Sequence, residues 1–266
     1  MTAGTPGGSD DSLPEEAVKR ANALETLRAG PMTRAELVDA LDVSRTTVHR
    51  TVGDLDDRNL LVQNAGHLEL SALGETVADE VVTYRRRLDA ANRLEPFLET
   101  LSETTVDLDV GQFEDAHVTE MNPTDPYAPI GRFMGLLRES ETLSGFDTTT
   151  IAPIFVEEIR EEILGGMETD VVYLPAVAEE MLSAYPDAIE AAIERGQLTL
   201  STHEDLPFGL AIFDGRVGLG GYDHDTGLLR VFVDTDDPEV RAWAEELYAT
   251  YRDDADPVTL PASEPV

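Results

Sequence analysis

The segment TRAELVDALDVSRTTVHRTVGDLDDRNLLVQNAGHLEL, Thr33–Leu70, reads as a helix, a tight turn, a second helix and a two-stranded wing. Thr33 and Glu36 have the T-x-x-E spacing of a capping box, which opens the first helix. Leu37 and Leu41 supply its inward side, Asp42-Val43 makes the turn, and Ser44 caps the second helix. At roughly 100° per residue, Val48, Val52 and Leu55 share one face and point to a core. Thr46, His49, Arg50 and Gly53 share the opposite face, with Arg45 and Thr47 on its flanks. Hydroxyl, imidazole and guanidinium groups reach base edges and phosphates, and a glycine permits close approach. No acid stands between Arg45 and Gly53, although the chain carries 54 acidic residues. This surface therefore predicts a winged helix-turn-helix that lays its second helix in the major groove of double-stranded DNA. The rival reading is a helix-turn-helix used only for protein contacts, an adaptor that binds no DNA.

The charge is the second signal. Fifty-four acidic residues stand against 19 basic ones, Lys19 is the one lysine, and the net charge is −35. A hydrophobic content of 41% and clear periodicity exclude a disordered acidic chain. A folded protein this acidic repels itself in dilute buffer. About 1 M salt shortens the screening length to roughly 3 Å and removes most of that repulsion. The acid-rich, lysine-poor composition is similar to that of proteins from extreme halophiles, so the charge is read as adaptation to solvent and not as a sign of a basic partner. Residues 1–100 carry 11 basic and 18 acidic groups, whereas 101–266 carry 8 and 36, so the N-terminal part is far less hostile to a polyanion.

No apolar run is long enough to cross a membrane. MTAGTPGGSDDS at the N-terminus lacks the basic and apolar parts of a signal peptide, and the absence of cysteine removes disulfides and thiolate metal sites. A cytoplasmic protein with no membrane partner is expected.

The expected organisation is a disordered tail at 1–12, the winged helix at 13–70, a linking or dimerisation helix at 71–103, an α/β domain at 104–253 and a disordered acidic tail at 254–266. Ser12 to Glu15 has capping-box spacing and starts a helix that should run to about Arg28. The wing strands Leu61–Gln63 and His67–Leu70 flank Asn64-Ala65-Gly66, which places Asn64 and His67 at the tip as backbone or minor-groove contacts. Thr33 and Arg34, at the start of the first helix, complete the DNA-contact set with Ser44, Arg45, Thr46, Thr47, His49 and Arg50. Val77, Val81, Tyr84, Leu88 and Ala91 recur at coiled-coil spacing, and this seam is expected to be part of a homodimer contact, the alternative being that it packs onto its own domain. Arg85-Arg86-Arg87 either touches the DNA backbone or neutralises neighbouring acids, the second being preferred, and Pro96 is read as kinking or interrupting the helix. Beyond it, strands are expected at Val106–Val110, Thr148–Phe155, Val171–Leu174, Leu198–Ser201, Leu210–Phe213, Val217–Leu219 and Leu228–Val233. Helices fit Ile130–Glu139, Phe155–Leu164, Ala176–Ala184, Pro186–Arg195 and Pro238–Arg252. Together they predict an α/β domain with a mixed sheet.

Five segments carry a family resemblance: VSRTTVHRTVGDLDDRNLL at 43–61, LEPFLE at 94–99, DPYAPI at 125–130, LPFGLAIFDGRVGLGGYD at 206–223 and WAEELYATYR at 243–252. Nearly end to end, the chain resembles the haloarchaeal and methanogen winged-helix transcription regulators of the methanogenesis-regulator (filament regulator) type. The second domain of that family is similar to the effector domains of sugar-responsive TrmB-like regulators, whose fold resembles one half of a phospholipase D. The resemblance implies a dimeric regulator that answers a ligand or signal, and it leaves the ligand unnamed.

Phospholipase-D chemistry needs a histidine nucleophile with a lysine two residues on. No H-x-K occurs here, so a catalytically degenerate half is expected, with no catalytic residue, no metal and no cofactor. His203-Glu204-Asp205 and Asp223-His224-Asp225 are the His-carboxylate clusters; a metal-dependent enzyme with an accessory DNA-binding module is the remaining rival, and solvated loops are the preferred account. Gly218-Leu-Gly-Gly221 lies between strands and reads as a bulge or close packing. For a small-molecule effector the candidate wall is Pro207, Phe208, Gly221 and Tyr222, with Tyr127 and Arg230 as polar anchors and Arg230 suited to an anion.

Overall fold

The computed structural model describes residues 12–101, 106–149, 153–223 and 225–259. The chain divides into two compact units, 1–88 and 89–266. The first contains α1 (Leu13–Lys19), α2 (Ala21–Arg28), β1 (Met32–Thr33), α3 (Arg34–Leu41), α4 (Arg45–Asp56), β2 (Leu61–Asn64), β3 (His67–Leu70) and most of α5 (Ala72–Leu98). The single opening helix expected to reach Arg28 is two helices. Arg20 leaves helical geometry at φ −104°, ψ 13°, and its guanidinium gathers carboxylates: Nε donates to Glu16 at 2.8 Å, and Nη2 pairs with Asp54 on α4.

The first core packs Leu24 and Leu27 of α2 and Leu37 of α3 against Val48, Val52 and Leu55 of α4. The wing has three strands, not two, in the order β1-β3-β2, because Met32 and Thr33 pair with Leu68 and His67. β1 thus covers an edge of β3 that would otherwise present unpaired backbone groups. Ala65 and Gly66 turn the β2–β3 hairpin with φ of 49° and 88°, the left-handed pair that a two-residue turn requires.

The expected seam on α5 splits. Val81 is buried in the first core and Val77 packs against it, whereas Tyr84 and Leu88 are 51% and 50% exposed. Arg85 lies 3.6 Å from Glu25 and also bonds Asn22, a neutralising position. Pro96 falls in the last turn, and α5 ends at Leu98.

In the second unit the end of α5 is followed by a 3-10 turn at Val110–Phe113, β4 (His117–Glu120), α6 (Ala128–Arg138), β5 (Thr142–Asp147), α7 (Pro153–Gly165) and β6 (Glu168–Tyr173). Then come α8 (Pro175–Ala184), α9 (Pro186–Glu194), β7 (Leu198–Thr202), β8 (Gly209–Phe213), β9 (Val217–Tyr222), β10 (Leu229–Thr235), α10 (Pro238–Asp253) and β11 (Asp256–Pro257). The mixed sheet runs β11-β7-β6-β5-β8-β9-β10-β4. β5, β6 and β7 are parallel, and every other pair is antiparallel.

Three expectations need correction here. Val106–Val110 is not a strand; it leads into the 3-10 turn, where Asp109 accepts the Gly111 N–H. The strand placed at Thr148–Phe155 lies earlier, at β5. Asp147 Oδ1 accepts the N–H groups of Thr148 and Thr149 and turns the chain out of the sheet, and Phe155 already belongs to α7. Within the tail at 254–266, Asp256 and Pro257 pair with β7 as an edge strand; residues 260–266, like 1–11, lie outside the described residues.

Strand alternation gives the sheet two apolar faces. Phe146, Val172, Leu210, Leu219, Val231 and Val233 meet Phe97 of α5 and Val240 of α10 on one side. On the other side α6 and α7 cover Leu143, Phe213 and Phe232, while α8 and α9 cover Val171, Leu198 and Leu200. Gly218 shows why the glycine run is there: a Cβ at that position would stand 2.2 Å from Cζ of Phe232, so the ring lies directly on the backbone.

One buried carboxylate ties α6 to the sheet. Asp234 is fully buried at the end of β10, where Arg132 of α6 holds it through Nε at 2.8 Å and Nη2 at 2.7 Å, and Arg216 adds Nε at 2.6 Å. Burial alone would raise its pKa; the two guanidinium groups outweigh that and hold it below the usual carboxylate range. Breaking such a pair costs about 3–5 kcal/mol when both partners are buried. The arginines here are 35% and 27% exposed, which sets the expectation near the lower end. Asp234→Asn is expected to lower the unfolding free energy by about 3 kcal/mol near neutral pH in urea titrations. Because the folded-state pKa is depressed, this contribution is complete above the unfolded value of about 4 and fades as pH falls through the folded value. Wild type and variant should therefore converge in acid.

Candidate functional site

The first unit displays the surface that the sequence singled out. Ser44 caps α4 by accepting the Thr47 N–H at 3.1 Å, and its hydroxyl lies 2.9 Å from that of Thr47. Thr33 closes the capping box on Glu36: its N–H and hydroxyl donate to the Glu36 carboxylate at 2.7 and 2.8 Å. The backbone hydrogen bond first, and then the hydroxyl bond, hold the Glu36 pKa down. Thr33, Ser44 and Thr47 thus spend their hydroxyls on helix starts. Arg45, Thr46, His49 and Arg50 stand exposed along α4, Arg34 is exposed at the first position of α3, and Gly53 is half-buried. Asn64 and His67 are exposed partners across the hairpin. The first turn of α4 carries no acid, so the fixed positive end of the helix and two arginines face solvent without local neutralisation.

The second unit contains a cavity of about 620 Å³ on the side of the sheet covered by α6 to α9. Its floor includes Gly145 and Asp147 of β5, Thr169 and Tyr173 of β6, Gly209 of β8, and Gly220 and Tyr222 of β9; its walls are mainly aliphatic and aromatic. The Tyr222 ring lies over two glycines: a Cβ on Gly209 would come 3.1 Å from the Tyr222 hydroxyl, and one on Gly220 would come 3.4 Å from it. From that seat the hydroxyl donates to Asp147 Oδ2 at 2.6 Å. Enclosure by protein pushes the Asp147 carboxyl up to about 6, against the lowering effect of Tyr222 and the two backbone N–H groups. Burial, and then the charge of Asp147, raise the Tyr173 and Tyr222 hydroxyls.

Of the six residues expected around an effector, Tyr127 and Tyr222 line this cavity and the other four do not. Phe208 is buried on the opposite face of the sheet, 5.6 Å from Phe97 and 5.8 Å from Phe146 between ring centres, and Pro207 is buried beside it. Gly221 also belongs to that face, where a Cβ would stand 2.3 Å from the Thr100 hydroxyl. A register shift between Leu229 and Val231 brings Leu229 to the cavity, whereas Arg230 lies outside its lining and pairs with Glu99 at 2.7 Å. His203 closes its own turn by accepting the Asp205 N–H through Nδ1. His224 lies outside the described residues, and its neighbour Asp223 accepts two hydrogen bonds from Thr226.

The family model for the middle domain of the methanogenesis regulatory protein FilR1 matches residues 126–254, and the model for the HVO_A0261 N-terminal domain matches 11–93. Residues 126–254 are thus similar to a FilR1 middle domain. The cavity floor lies wholly within this domain, and all ten residues expected to touch DNA lie within the HVO_A0261-type domain. TrmBL2, described as an archaeal chromatin protein with a novel mode of DNA binding, aligns at 16% identity over 92% of this chain and 100% of its own, with a TM-score of 0.45. NucT from Helicobacter pylori aligns at 11% identity over 54% of this chain and 98% of its own, TM-score 0.42. The phospholipase D family member Nuc from Salmonella typhimurium aligns at 12% over 55% and 98%, TM-score 0.42. No curated protein matches the chain.

The sequence reading missed Asp147, the polar centre of the cavity, because it placed a strand immediately after it. The available signal was the Asp-Thr-Thr run, a side chain followed by two N–H groups that it can accept. Since the folded state raises the pKa of Asp147 to about 6, folding favours its protonated form. Stability should decline as pH rises from about 4 to about 6 and level off above. Asp147→Asn, which keeps the acceptor for both backbone N–H groups, is expected to abolish that decline and to be at least as stable as wild type near neutral pH. Thermal melts across this range test it.

Proposed function

We propose that the chain is a DNA-binding transcription regulator, dimeric, whose winged helix reads double-stranded DNA and whose FilR1-type domain holds a small-molecule effector. One observation carries the reading: in a chain of net charge −35, the exposed face of α4 presents Arg45, Thr46, His49 and Arg50 without an acid among them. Arginine is the strongest reader of guanine edges, and hydroxyl and imidazole groups add base or phosphate contacts. Asn64 and His67 at the wing tip and Arg34 on α3 supply flanking contacts. The FilR1 family name, a regulatory protein, points the same way.

The second unit supports binding rather than turnover. The one lysine is at position 19 and no H-x-K exists, so the phospholipase-D nucleophile set is missing from the sequence. Effector binding changes DNA affinity only to the extent that it distinguishes the DNA-competent arrangement from others. Tyr84 and Leu88, each about half exposed on α5, are the exposed large apolar residues of the coiled-coil seam and offer a dimer contact, and a dimer matches a two-half-site operator. The acidic composition fits a salt-rich cytoplasm, where bound cations offset the repulsion between this chain and phosphate.

Arg50→Ala is expected to weaken binding to promoter DNA at least tenfold in mobility shifts run in concentrated potassium chloride, a discrimination of about 1.4 kcal/mol. Unchanged binding in both Arg45→Ala and Arg50→Ala would favour the protein-contact adaptor instead. Tyr84→Glu with Leu88→Glu is expected to convert the dimer to a monomer in light scattering while the far-ultraviolet circular dichroism stays that of wild type. A dimer that survives the double exchange would place the contact elsewhere.

A further inference from the structure

We infer that the cavity of the FilR1-type domain takes a mainly apolar primary amine, its ammonium group received by Asp147. The inference deepens the regulator reading and rests on it for the consequence of binding.

Volume comes first. Native interiors pack with few voids larger than a water molecule, whereas small-molecule sites are concave, mostly apolar spaces of roughly 300–1,000 Å³. A cavity of about 620 Å³ belongs to the second class. Ile130, Phe133, Ile163, Met181 and Ile189 give it walls suited to a hydrocarbon or aromatic body. Tyr127 and Leu228 are 54% and 48% exposed among the lining residues and mark its mouth.

A polar group in the lining asks for a partner. Thr169 is 6% exposed, lines the cavity, and its hydroxyl has no hydrogen-bond partner in the structure. Buried hydroxyls are nearly always bonded; this one lies opposite Leu143, four residues before Asp147 on β5, and so marks a second polar point away from the head-group end.

Charge then selects the head group. The charged lining residues are Asp147, Arg160 and Glu180. Arg160 already holds the Glu157 carboxylate, with Nε at 3.0 Å, which leaves the acids to set the sign. Asp147 accepts from Tyr222 through one oxygen and from two backbone N–H groups through the other, and a carboxylate has acceptor sites beyond these. Among the described residues no cation pairs with this enclosed carboxylate, and an ammonium supplies both the counter-charge and charge-assisted hydrogen bonds. A carboxylate or phosphate ligand would add a second anion to an acidic enclosure. Position agrees as well: Asp147 ends β5 at its carboxyl end, where parallel strands lie on one side and antiparallel ones on the other, and ligands of open α/β sheets gather at such ends.

The test uses three probes with one body and three heads: 4-phenylbutylamine, 4-phenylbutan-1-ol and 4-phenylbutanoate, titrated calorimetrically into the full chain in concentrated potassium chloride near neutral pH. The amine should bind saturably at one site per chain, the alcohol at least about tenfold more weakly, and the carboxylate not at all. Asp147→Asn should weaken the amine at least about tenfold while the alcohol stays within about threefold. Ala188→Phe, which extends a lining side chain into the space, should weaken amine and alcohol together. Circular dichroism and melting verify that both variants are folded. Binding of the carboxylate as tight as the amine, an amine affinity untouched by Asp147→Asn, or no binding of any probe to folded wild type would each overturn the proposal. The regulator reading fails separately, if promoter binding ignores Arg50→Ala whatever the probes do. Amine binding that leaves promoter affinity unchanged keeps the ligand class and removes the effector role.

Discussion

Strand β5 joins two differently built halves of one sheet, and it does so only because position 145 has no side chain. A Cβ there would stand 1.9 Å from the Leu210 carbonyl oxygen, where no atom fits. With glycine, β8 closes against β5, and an antiparallel ladder continues through β9 and β10 to β4, while parallel β6 and β7 extend the other side. The apolar faces, the helical layers and the placement of Asp147 at the end of β5 all follow from that contact. The first unit has a counterpart: a Cβ at Gly74 would stand 2.0 Å from the Leu60 carbonyl oxygen, so α5 begins pressed against backbone.

The cavity is a product of the same economy of side chains. Two helix pairs cover one face of the sheet through two separate apolar clusters, and the floor includes glycines on three strands. Tyr222 occupies part of the relief that Gly209 and Gly220 create, and a single hydroxyl links that ring to the Asp147 carboxylate. Asp234 resolves the opposite problem a few strands away: its charge is buried too, but two arginines accompany it. Two enclosed carboxylates in one sheet thus have opposite titration shifts, set by whether a cation stands beside them.

The sequence was most legible where a local rule acts alone. Helix caps at Ser12, Thr33 and Ser44, the inward triad Val48, Val52 and Leu55, and the hairpin over Ala65 and Gly66 all lie within short windows, and the structure repeats them. The strands of the FilR1-type domain were visible as apolar runs at β6 to β10, since central strands buried on both faces read as hydrophobic stretches. β4, with no fully buried residue, and the two-residue β1 and β11 have no such run. Long-range chemistry was the hardest to see. Arg20 with Asp54, Arg132 with Asp234, and Tyr222 with Asp147 join residues 34, 102 and 75 positions apart, and no periodicity encodes them. Arg230 shows the converse: an arginine that looked available from sequence is turned by a register shift onto Glu99.

The cations on the face of α4 are Arg45 and Arg50, with Arg34 on α3, and the one lysine of the chain, Lys19, lies on α1 within 4.0 Å of Glu16. Lysine acetylation discharges a basic surface by converting ammonium to amide. It has no substrate on this face, because a guanidinium stays charged at any pH a cell reaches. The positive charge on the exposed face of α4 is therefore carried by groups that acetylation does not discharge.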